Sequence, residues 1–220
     1  MSVLRVALPK GRLFAPGAAL FAHVGCRNVD ELATGRRLVH EETEAGFRFV
    51  LVKPMDVPVY VEYGAADLGI VGQDVVRELG RDVYEPLRLG FGRCRLVVAG
   101  PPDLPPQTWA RRPILRVASK YPRLARQHFT SRGLSIEVVA LSGSVELAPQ
   151  AGLADLIVDI VDSGRTLSAN GLLEMETVLA SQACLIVNRA SHKVELARIS
   201  ALLRTFEQIV SEGHARSDGH

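Results

Sequence analysis

Hydrophobic residues form short runs that alternate with longer amphipathic stretches along the chain. Several runs are continuously apolar, which is typical of strands covered on both faces. The pattern predicts strands at Val3–Leu8, Phe47–Val52, Asp67–Val71, Cys94–Ala99, Ile114–Ala118, Ile136–Ala140, Asp155–Val161 and Ala183–Val187. It predicts helices at Pro16–Val24, Asp56–Tyr63, Gln73–Leu79, Tyr121–Ser131, Val145–Gln150 and Ser191–Ser211, with a short helical stretch at Leu167–Asn170. This alternation favours a fold of parallel α/β layers.

A proline-rich stretch suggests that the chain forms two lobes. Gly100–Pro113 holds five of the twelve prolines, and we interpret it as an irregular surface excursion rather than a core element. The strands on either side of it are expected to form a second small sheet, after which the chain returns to the first lobe. We predict one lobe from residues 1–92 and 180–220 and another from 93–179. Bilobal α/β folds with such a double crossover bind ligands in the cleft between the lobes.

Composition excludes several classes of protein. Of the 220 residues, 47% are hydrophobic and 23% charged, which is ordinary for a globular protein. With 26 basic and 24 acidic residues, the chain lacks the charge excess of a general nucleic-acid binder. Neither the three cysteines nor the six histidines show metal-ligand spacing, so no disulfide framework or metal site is indicated. The chain has no secretory signal and no apolar stretch of about 18 residues, so we expect a cytoplasmic protein without membrane partners.

The strongest candidate site follows the strand Asp155–Val161. Asp159 and Asp162 lead into Ser163-Gly164-Arg165-Thr166. Gly164 permits a tight turn, and hydroxyls with free N–H groups at a helix start favour a phosphate, while the carboxylates can accept hydrogen bonds from ribose hydroxyls. The same residues could merely cap a strand with turn chemistry. Two acids spaced i, i+3 at a strand exit favour the functional interpretation, because burying charge there needs a reason.

A second candidate is the basic turn Leu8–Leu13, directly after the first strand. Gly11 lets the backbone approach a ligand, and Lys10 and Arg12 can counter polyphosphate charge. The turn is not a Walker A loop, because GxxxxGK[ST] is absent. A basic strand-to-helix turn is also often only solvated surface, so this segment is a weak indication on its own.

Two further segments place glycines or acids at predicted strand ends. In Ser142–Pro149, Glu146 fits the first turn of a capped helix, although a position between two strands would also bring it to a cleft. In Ala65–Asp74, Gly69 and Gly72 indicate close approach by a ligand or by another part of the chain.

Together these segments closely resemble ATP phosphoribosyltransferase, the enzyme that opens histidine biosynthesis. The matching stretches are LPKGRL at 8–13, DVPVYVEYGAADLGIVGQD at 56–74, SGSVELAP at 142–149 and DLIVDIVDSGRTLSANGL at 155–172. The resemblance implies an α/β, two-lobed fold like that of periplasmic binding proteins, with the ligand cleft between the lobes. It also implies transfer of the phosphoribosyl group of phosphoribosyl diphosphate to N1 of ATP, which releases pyrophosphate. N1 carries its own lone pair, so no activated serine or cysteine is required.

The resemblance implies roles for individual residues. Phosphoribosyl diphosphate is expected to bind at Glu146, Asp159, Asp162, Ser163, Gly164, Arg165 and Thr166. ATP is expected to bind at Lys10, Gly11, Arg12, Lys53 and Asp67, and the catalytic candidates are Lys10, Arg12 and Asp159. The chain departs from the family's usual pattern at Lys53, where arginine is common, and at Cys184, which replaces a more usual arginine.

The resemblance also implies a cofactor and partners. Mg²⁺ is expected to arrive with the polyphosphate substrates rather than in a cage of protein ligands. We expect the short form of the family, without a C-terminal histidine-binding domain after the last predicted helix, because short-form members work with a regulatory subunit similar to histidyl-tRNA synthetase. We expect self-association as well. The alternatives are an enzyme complete in itself and a non-catalytic small-anion-binding module of the same bilobal fold.

Overall fold

A computed structural model describes residues 3–34, 38–42, 44–162 and 164–217. The chain divides into two compact α/β units: unit 1 comprises Met1–Gly92 and Gln182–His220, and unit 2 comprises Arg93–Ser181. The strands are β1 Leu4–Pro9, β2 Val39–Glu42, β3 Phe47–Val52, β4 Leu68–Gly72, β5 Tyr84–Arg88, β6 Cys94–Gly100, β7 Leu115–Ser119, β8 Ile136–Ala140, β9 Leu156–Val161, β10 Leu173–Ser181 and β11 Ala183–Val187. The α-helices are α1 Phe14–Ala22, α2 Glu31–Thr34, α3 Val57–Glu62, α4 Gln73–Leu79, α5 Pro122–Ser131, α6 Arg165–Ala169, α7 Arg189–Val194 and α8 Leu196–Ser217. Short 3₁₀ helices lie at Pro54–Asp56, Pro106–Arg111 and Val145–Leu147.

Unit 1 is built on a six-stranded sheet in the order β2-β3-β1-β4-β11-β5. Strand β1 pairs in parallel with both β3 and β4, while β11 runs antiparallel to β4. The carboxyl ends of β1, β3 and β4 therefore lie at one edge of the sheet, and the carboxyl end of β11 lies at the opposite edge. Helix α8 covers one face, where Phe206 meets Phe21 edge to face at 5.3 Å between ring centroids.

Unit 2 is built on a five-stranded sheet in the order β10-β6-β9-β7-β8. Strands β9, β7 and β8 are parallel neighbours, and β6 and β10 extend the sheet by antiparallel pairing. Both faces of β9 are covered: Leu156 and Val158 pack into one core cluster, and Ile157 and Val161 pack into another. Burial on both faces explains why β9 is a continuous apolar run in the sequence.

The sequence pattern missed β2, β5 and β10, each of which is an outermost strand of its sheet. Their residues are mostly half-buried or exposed, so they lack the apolar runs that reveal inner strands. The expected lobe boundary between residues 179 and 180 falls inside β10. The structural boundary comes after Ser181, because β10 keeps pairing with β6 up to that residue.

Three further expectations need correction. The stretch Gly100–Pro113 contributes to the core after all, because Trp109 is 2% exposed and donates from Nε1 to the carbonyl oxygen of Leu104 at 3.1 Å. The helix expected at Val145–Gln150 is only the 3₁₀ turn Val145–Leu147. The helix expected at Ser191–Ser211 is interrupted at Glu195, between α7 and α8.

The described part of the chain contains no helix that combines the length and the apolar character required to cross a membrane.

Candidate functional site

The carboxyl ends of three neighbouring strands bring the unit 2 candidates together. Strands β9, β7 and β8 are parallel, and β7 lies between the other two. Their carboxyl ends lead into the segments 162–166, 120–121 and 141–146, respectively. Because parallel strands end at the same edge, the Asp162–Thr166 loop and the Ser142–Glu146 loop flank the residues that follow β7.

Asp159 is the unit 2 candidate carboxylate whose pKa the protein environment shifts. It lies within β9, half-buried, and its Oδ1 accepts a hydrogen bond from the backbone N–H of Ile160 at 2.8 Å. Desolvation by burial raises the pKa of Asp159, the nearby Glu146 carboxylate raises it further, and the Lys120 ammonium opposes this shift. Asp159 therefore interacts electrostatically with Glu146 and with Lys120 at this edge of the sheet.

The loop after β9 turns sharply at Gly164. This residue has φ +75°, the left-handed conformation that favours glycine, and it directly precedes α6. Two hydrogen bonds hold the turn: Ser168 N–H donates to the carbonyl oxygen of Gly164 at 3.1 Å, and Asn170 Nδ2 donates to that of Thr166 at 2.9 Å. A Cβ built on Gly164 would meet no atom within 4 Å, so the space beside the turn is open. Asp162, Arg165 and Thr166 are exposed around it, and the expected ligand residue Ser163 lies outside the described residues.

The loop after β8 contains a strained residue. Ser144 has φ +50°, which is uncommon for a residue with a side chain and costs on the order of 1–2 kcal/mol. The buried side chain of Val145 anchors the following 3₁₀ turn in the core of unit 2. This anchored turn carries Glu146, half-buried, at the edge where Asp159 lies.

Sequence reasoning missed Lys120, which directly follows β7. The turn before it is fixed by Ser119, whose buried Oγ donates to the carbonyl oxygen of Val158 at 2.6 Å and accepts from Tyr121 N–H at 2.8 Å. Two features of the sequence could have revealed Lys120. It stands between a strand and a proline-started helix, and it is one of only four lysines in the chain.

In unit 1 the basic turn after β1 lies beside the residue that follows β3. Lys10 N–H donates to the carbonyl oxygen of Val52 at 2.8 Å, so Lys10 and Lys53 emerge together at the carboxyl edge of two parallel strands. Arg12 Nη2 donates to the carbonyl oxygen of Gly92 at 3.3 Å. A Cβ on Gly11 would meet nothing within 4 Å. The structure thus brings together Lys10, Gly11, Arg12 and Lys53, three of which are exposed cations.

Asp67 does not join that cluster, which corrects the expectation that it belongs to the ATP pocket. It precedes β4 and therefore lies at the amino edge of the sheet, opposite Lys10. Its carboxylate accepts hydrogen bonds from the Arg5 backbone N–H at 2.8 Å, from the Arg5 guanidinium at 3.0 and 2.8 Å, and from Ser191 Oγ at 2.7 Å. Although burial opposes the effect, these partners hold the pKa of Asp67 below its usual value. Asp67 therefore has a structural role, joining β1, β4 and α7.

Close packing explains two other features of unit 1 without a ligand. A Cβ on Gly69 would lie 2.7 Å from Val57 and 2.9 Å from Val61, so this glycine lets α3 pack on β4. Cys184 is fully buried in the sheet, and its Sγ donates to the carbonyl oxygen of Val71 at 3.4 Å. Burial raises the pKa of the Cys184 thiol, which is consistent with a packed thiol rather than a ligand.

Comparison with known proteins gives one family across the chain. Residues 53–208 match the family model described as ATP phosphoribosyltransferase. The chain is 47% identical over 210 residues to the ATP phosphoribosyltransferase of Syntrophotalea carbinolica, and the match covers 94% of each chain. It is 44% identical over 213 residues to that of Caldanaerobacter subterraneus, covering 97% of this chain and 100% of the relative.

Solved structures give the same fold. An ATP phosphoribosyl transferase (HisG:HisZ) complex from Thermotoga maritima contains a chain with a TM-score of 0.83 and 30% identity, and the match covers 96% of this chain and 100% of that one. The periplasmic aliphatic sulphonate binding protein SsuA from Escherichia coli matches with a TM-score of 0.59 and 17% identity, covering 99% and 76%, respectively. The second likeness shows the fold alone. The predicted α/β fold of periplasmic-binding-protein type is confirmed.

Proposed function

The chain belongs to the ATP phosphoribosyltransferase family, and from that premise we propose which of its residues bind each substrate. It is a transferase of histidine biosynthesis that moves the phosphoribosyl group of phosphoribosyl diphosphate to N1 of ATP, giving phosphoribosyl-ATP and pyrophosphate. The non-catalytic module is not favoured, because relatives matched over nearly their full length are named as this enzyme.

We propose that phosphoribosyl diphosphate binds at the carboxyl edge of β9, β7 and β8. The observation that carries this proposal is the meeting of an open left-handed turn at Gly164 with the Asp159–Glu146–Lys120 group. The backbone N–H groups and the hydroxyl of the Gly164–Thr166 turn suit the 5′-phosphate. Asp159 suits the ribose hydroxyls, because a carboxylate accepts hydrogen bonds from a diol.

Asp162, Ser163, Arg165 and Glu146 complete the proposed site. Asp162 and Glu146 add carboxylate acceptors for the ribose, whereas Ser163 and Arg165 add donors for phosphate oxygens. The Lys120 ammonium is the cation that follows the middle strand of the three, and we assign it to the diphosphate of the substrate.

The reaction needs positioning and charge stabilisation more than proton transfer. A bond forms between N1 of ATP and the anomeric carbon while the bond from that carbon to the pyrophosphate oxygen breaks, and pyrophosphate leaves with the electron pair. Positive charge develops on the sugar, which the Asp159 carboxylate can stabilise, and negative charge grows on pyrophosphate, which Lys120 can stabilise.

We assign the ATP polyphosphate to the cluster Lys10, Gly11, Arg12 and Lys53. Its cations stand at the carboxyl edge of β1 and β3, and the space beside Gly11 is open to phosphate oxygens. Lys10 and Arg12 are the catalytic candidates of this cluster. Lys53 supplies a point charge, whereas an arginine at that position would offer a bidentate fork.

Mg²⁺ fits this chain as a companion of the substrates. The described residues contain no group of three or more His, Cys, Asp or Glu side chains that could hold a metal ion. Asp159 and Glu146 are close enough to interact electrostatically, and one or two carboxylates suffice for Mg²⁺ that takes its other ligands from polyphosphate and water. Bound there, Mg²⁺ would neutralise part of the charge on the departing pyrophosphate.

We also propose that the chain works with a regulatory subunit similar to histidyl-tRNA synthetase and that it self-associates. Support comes from the Thermotoga maritima relative, which was solved as a HisG:HisZ complex and which this chain matches over that chain's whole length.

Pyrophosphate release tests both the transferase activity and the regulatory partner. The purified chain is assayed with ATP and phosphoribosyl diphosphate, alone and with the synthetase-like subunit of the same organism, while histidine is titrated. We expect release that needs both substrates, increases with the subunit and is inhibited by histidine only in the complex. Full activity of the chain alone with histidine inhibition intact would refute the regulatory partner, and release in neither case would contradict the transferase assignment.

A further inference from the structure

A cavity of about 280 Å³ opens on unit 1 between β5 and α7. Its lining residues are Tyr84, Arg189, His192 and Lys193. Three of the four carry or can carry positive charge, and Tyr84 adds a hydroxyl and an aromatic wall. This combination resembles no part of the hydrophobic core and takes no part in the proposed reaction.

The cavity lies far from the proposed ATP cluster. Helix α7 starts after the carboxyl end of β11, where Asn188 N–H donates to the carbonyl oxygen of Asp67 at 2.9 Å. Because β11 is antiparallel to β4, this is the edge of the sheet at which β4 begins. Lys10 and Lys53 emerge at the opposite edge, where the parallel strands β1 and β3 end. One small ligand therefore cannot contact both places.

The side chains that line the cavity are arranged to converge. Arg189, His192 and Lys193 are spaced i, i+3 and i+4 along α7, so they project from one face of the helix. The ring of His192 meets the ring of Tyr84 at a centroid distance of 5.0 Å and an interplanar angle of 61°. This contact joins the α7 face to the first residue of β5, and it sets one wall of the cavity.

The positive charge of the cavity is only partly balanced by the protein. Arg189 Nε donates to Asp82 Oδ1 at 2.6 Å, but the two side chains are 60% and 74% exposed, so water weakens this pair. The guanidinium keeps further N–H donors for a ligand. Among the described residues, neither His192 nor Lys193 forms an ion pair. An anion in the cavity would therefore meet a net positive surface.

The distribution of lysine gives a separate, sequence-level reason to single out Lys193. The chain has 26 basic residues, of which only Lys10, Lys53, Lys120 and Lys193 are lysines. The first three follow the carboxyl ends of β1, β3 and β7 and belong to the proposed substrate loops. A compact ammonium suits a phosphate as a point charge. The fourth lysine lines this cavity.

We propose that the cavity formed by Tyr84, Arg189, His192 and Lys193 is an additional binding site for a small phosphate-bearing molecule, separate from both substrate loops. Arg189 and Lys193 bind phosphate oxygens, and the Tyr84 hydroxyl and the His192 ring add donors. The inference is independent of the reaction proposed above, so either can fail without the other.

Fluorine NMR of the full chain labelled with fluorotyrosine tests this proposal. The chain has four tyrosines, and the Tyr84 signal is assigned with Tyr84→Phe. Sodium pyrophosphate is the probe, with sodium chloride at matched ionic strength and malonate as controls. We expect a saturable shift of the Tyr84 signal, about tenfold weaker binding in Lys193→Ala, and an unchanged dissociation constant in Lys10→Ala. Asp82→Asn, which removes the competing carboxylate, is expected to tighten binding.

Several results would overturn the proposal. A Tyr84 shift that sodium chloride reproduces would mean that only ionic strength is sensed, and equal affinity for malonate would rule out selection for phosphate. Unchanged binding in Lys193→Ala would exclude the cavity as the site. A shift lost in Lys10→Ala would assign the effect to the substrate loops instead.

Discussion

The proposed contact between the Gly164 turn and the 5′-phosphate can be tested with Gly133 as a control for backbone strain. Gly164 and Gly133 have almost the same φ, +75° and +72°, and a Cβ at either position would meet no atom within 4 Å. Alanine in this left-handed region costs about 1–2 kcal/mol, and the lower entropy of the unfolded chain returns about 0.4–1 kcal/mol. Gly164→Ala and Gly133→Ala should therefore lower the free energy of unfolding by similar amounts, about 1 kcal/mol each.

The two variants should differ in ligand binding. Gly164 opens the turn at the carboxyl edge of β9, where we place the 5′-phosphate. Gly133 lies before β8, at the opposite edge of the same sheet. A methyl group on Gly164 projects into the space that phosphate oxygens would occupy. Loss of one charge-assisted hydrogen bond costs about 1.5–3 kcal/mol, which corresponds to roughly ten- to hundredfold weaker binding.

Calorimetric titration with phosphoribosyl diphosphate, together with denaturant unfolding, measures both effects. We expect Gly164→Ala to raise the dissociation constant at least about tenfold and Gly133→Ala to leave it unchanged. Equal affinity in the two variants, with both folded, would show that the turn does not contact the substrate. Equal weakening in both would assign the effect to strain in unit 2 rather than to a phosphate contact.

Four other substitutions test the remaining assignments. Lys120→Ala should lower kcat/KM about tenfold or more while the midpoint of thermal unfolding stays within a few degrees, and parent-like kinetics would exclude a contact with the diphosphate. Lys10→Ala should lower kcat/KM to a similar extent, whereas the control Lys193→Ala, at the opposite edge of the unit 1 sheet, should not. Equal kcat/KM in the two variants would show that the basic turn is solvated surface without a substrate contact. Because burial raises the pKa of Asp159, its ionised form destabilises the folded state at neutral pH, so Asp159→Asn should be more stable than the parent near pH 7. That advantage should shrink as the pH falls towards about 4, where the carboxyl group is protonated in the unfolded chain as well, and a constant advantage in urea unfolding between these pH values would contradict the argument. Asp67→Asn should lower the free energy of unfolding by about 1–3 kcal/mol at neutral pH and by less in acid, because the partners of Asp67 lower its pKa. The KM for ATP should stay constant in this variant, and a raised KM would assign Asp67 to the ATP site.

The inner strands could be predicted from the sequence because burial on both faces forces a continuous apolar run. The inner strands β3 and β11 have the predicted boundaries. The outermost strand β8 does as well, because three of its five residues are isoleucine or valine. The outer strand β5 contains Pro86 and charged residues, and β10 contains Glu174 and Glu176. An outer strand needs only one neighbour and little burial, so its local sequence can lack this signal, as it does in β2, β5 and β10.

The candidate site could be predicted only as far as local chemistry allows. The turn at Gly164 could be predicted because a glycine between a strand and a helix indicates a tight turn with a positive φ. Lys120 was missed because its importance comes from the order of strands, which places β7 between β9 and β8. Asp67 was misassigned because an acid before a buried strand resembles a ligand residue, and only the pairing with Arg5 and Ser191 shows which edge of the sheet it occupies.

Hydrogen exchange with phosphoribosyl diphosphate tests most directly whether the carboxyl edge of β9, β7 and β8 binds this substrate. Exchange of backbone amides is followed by mass spectrometry with and without the ligand, in the absence of ATP. We predict slower exchange in peptides that cover 119–121, 142–147 and 159–167, and unchanged exchange in the peptide that covers 131–135, which precedes β8 at the opposite edge of the same sheet. Unchanged exchange in all three unit 2 segments at saturating ligand would contradict the assignment of this edge as the phosphoribosyl diphosphate site.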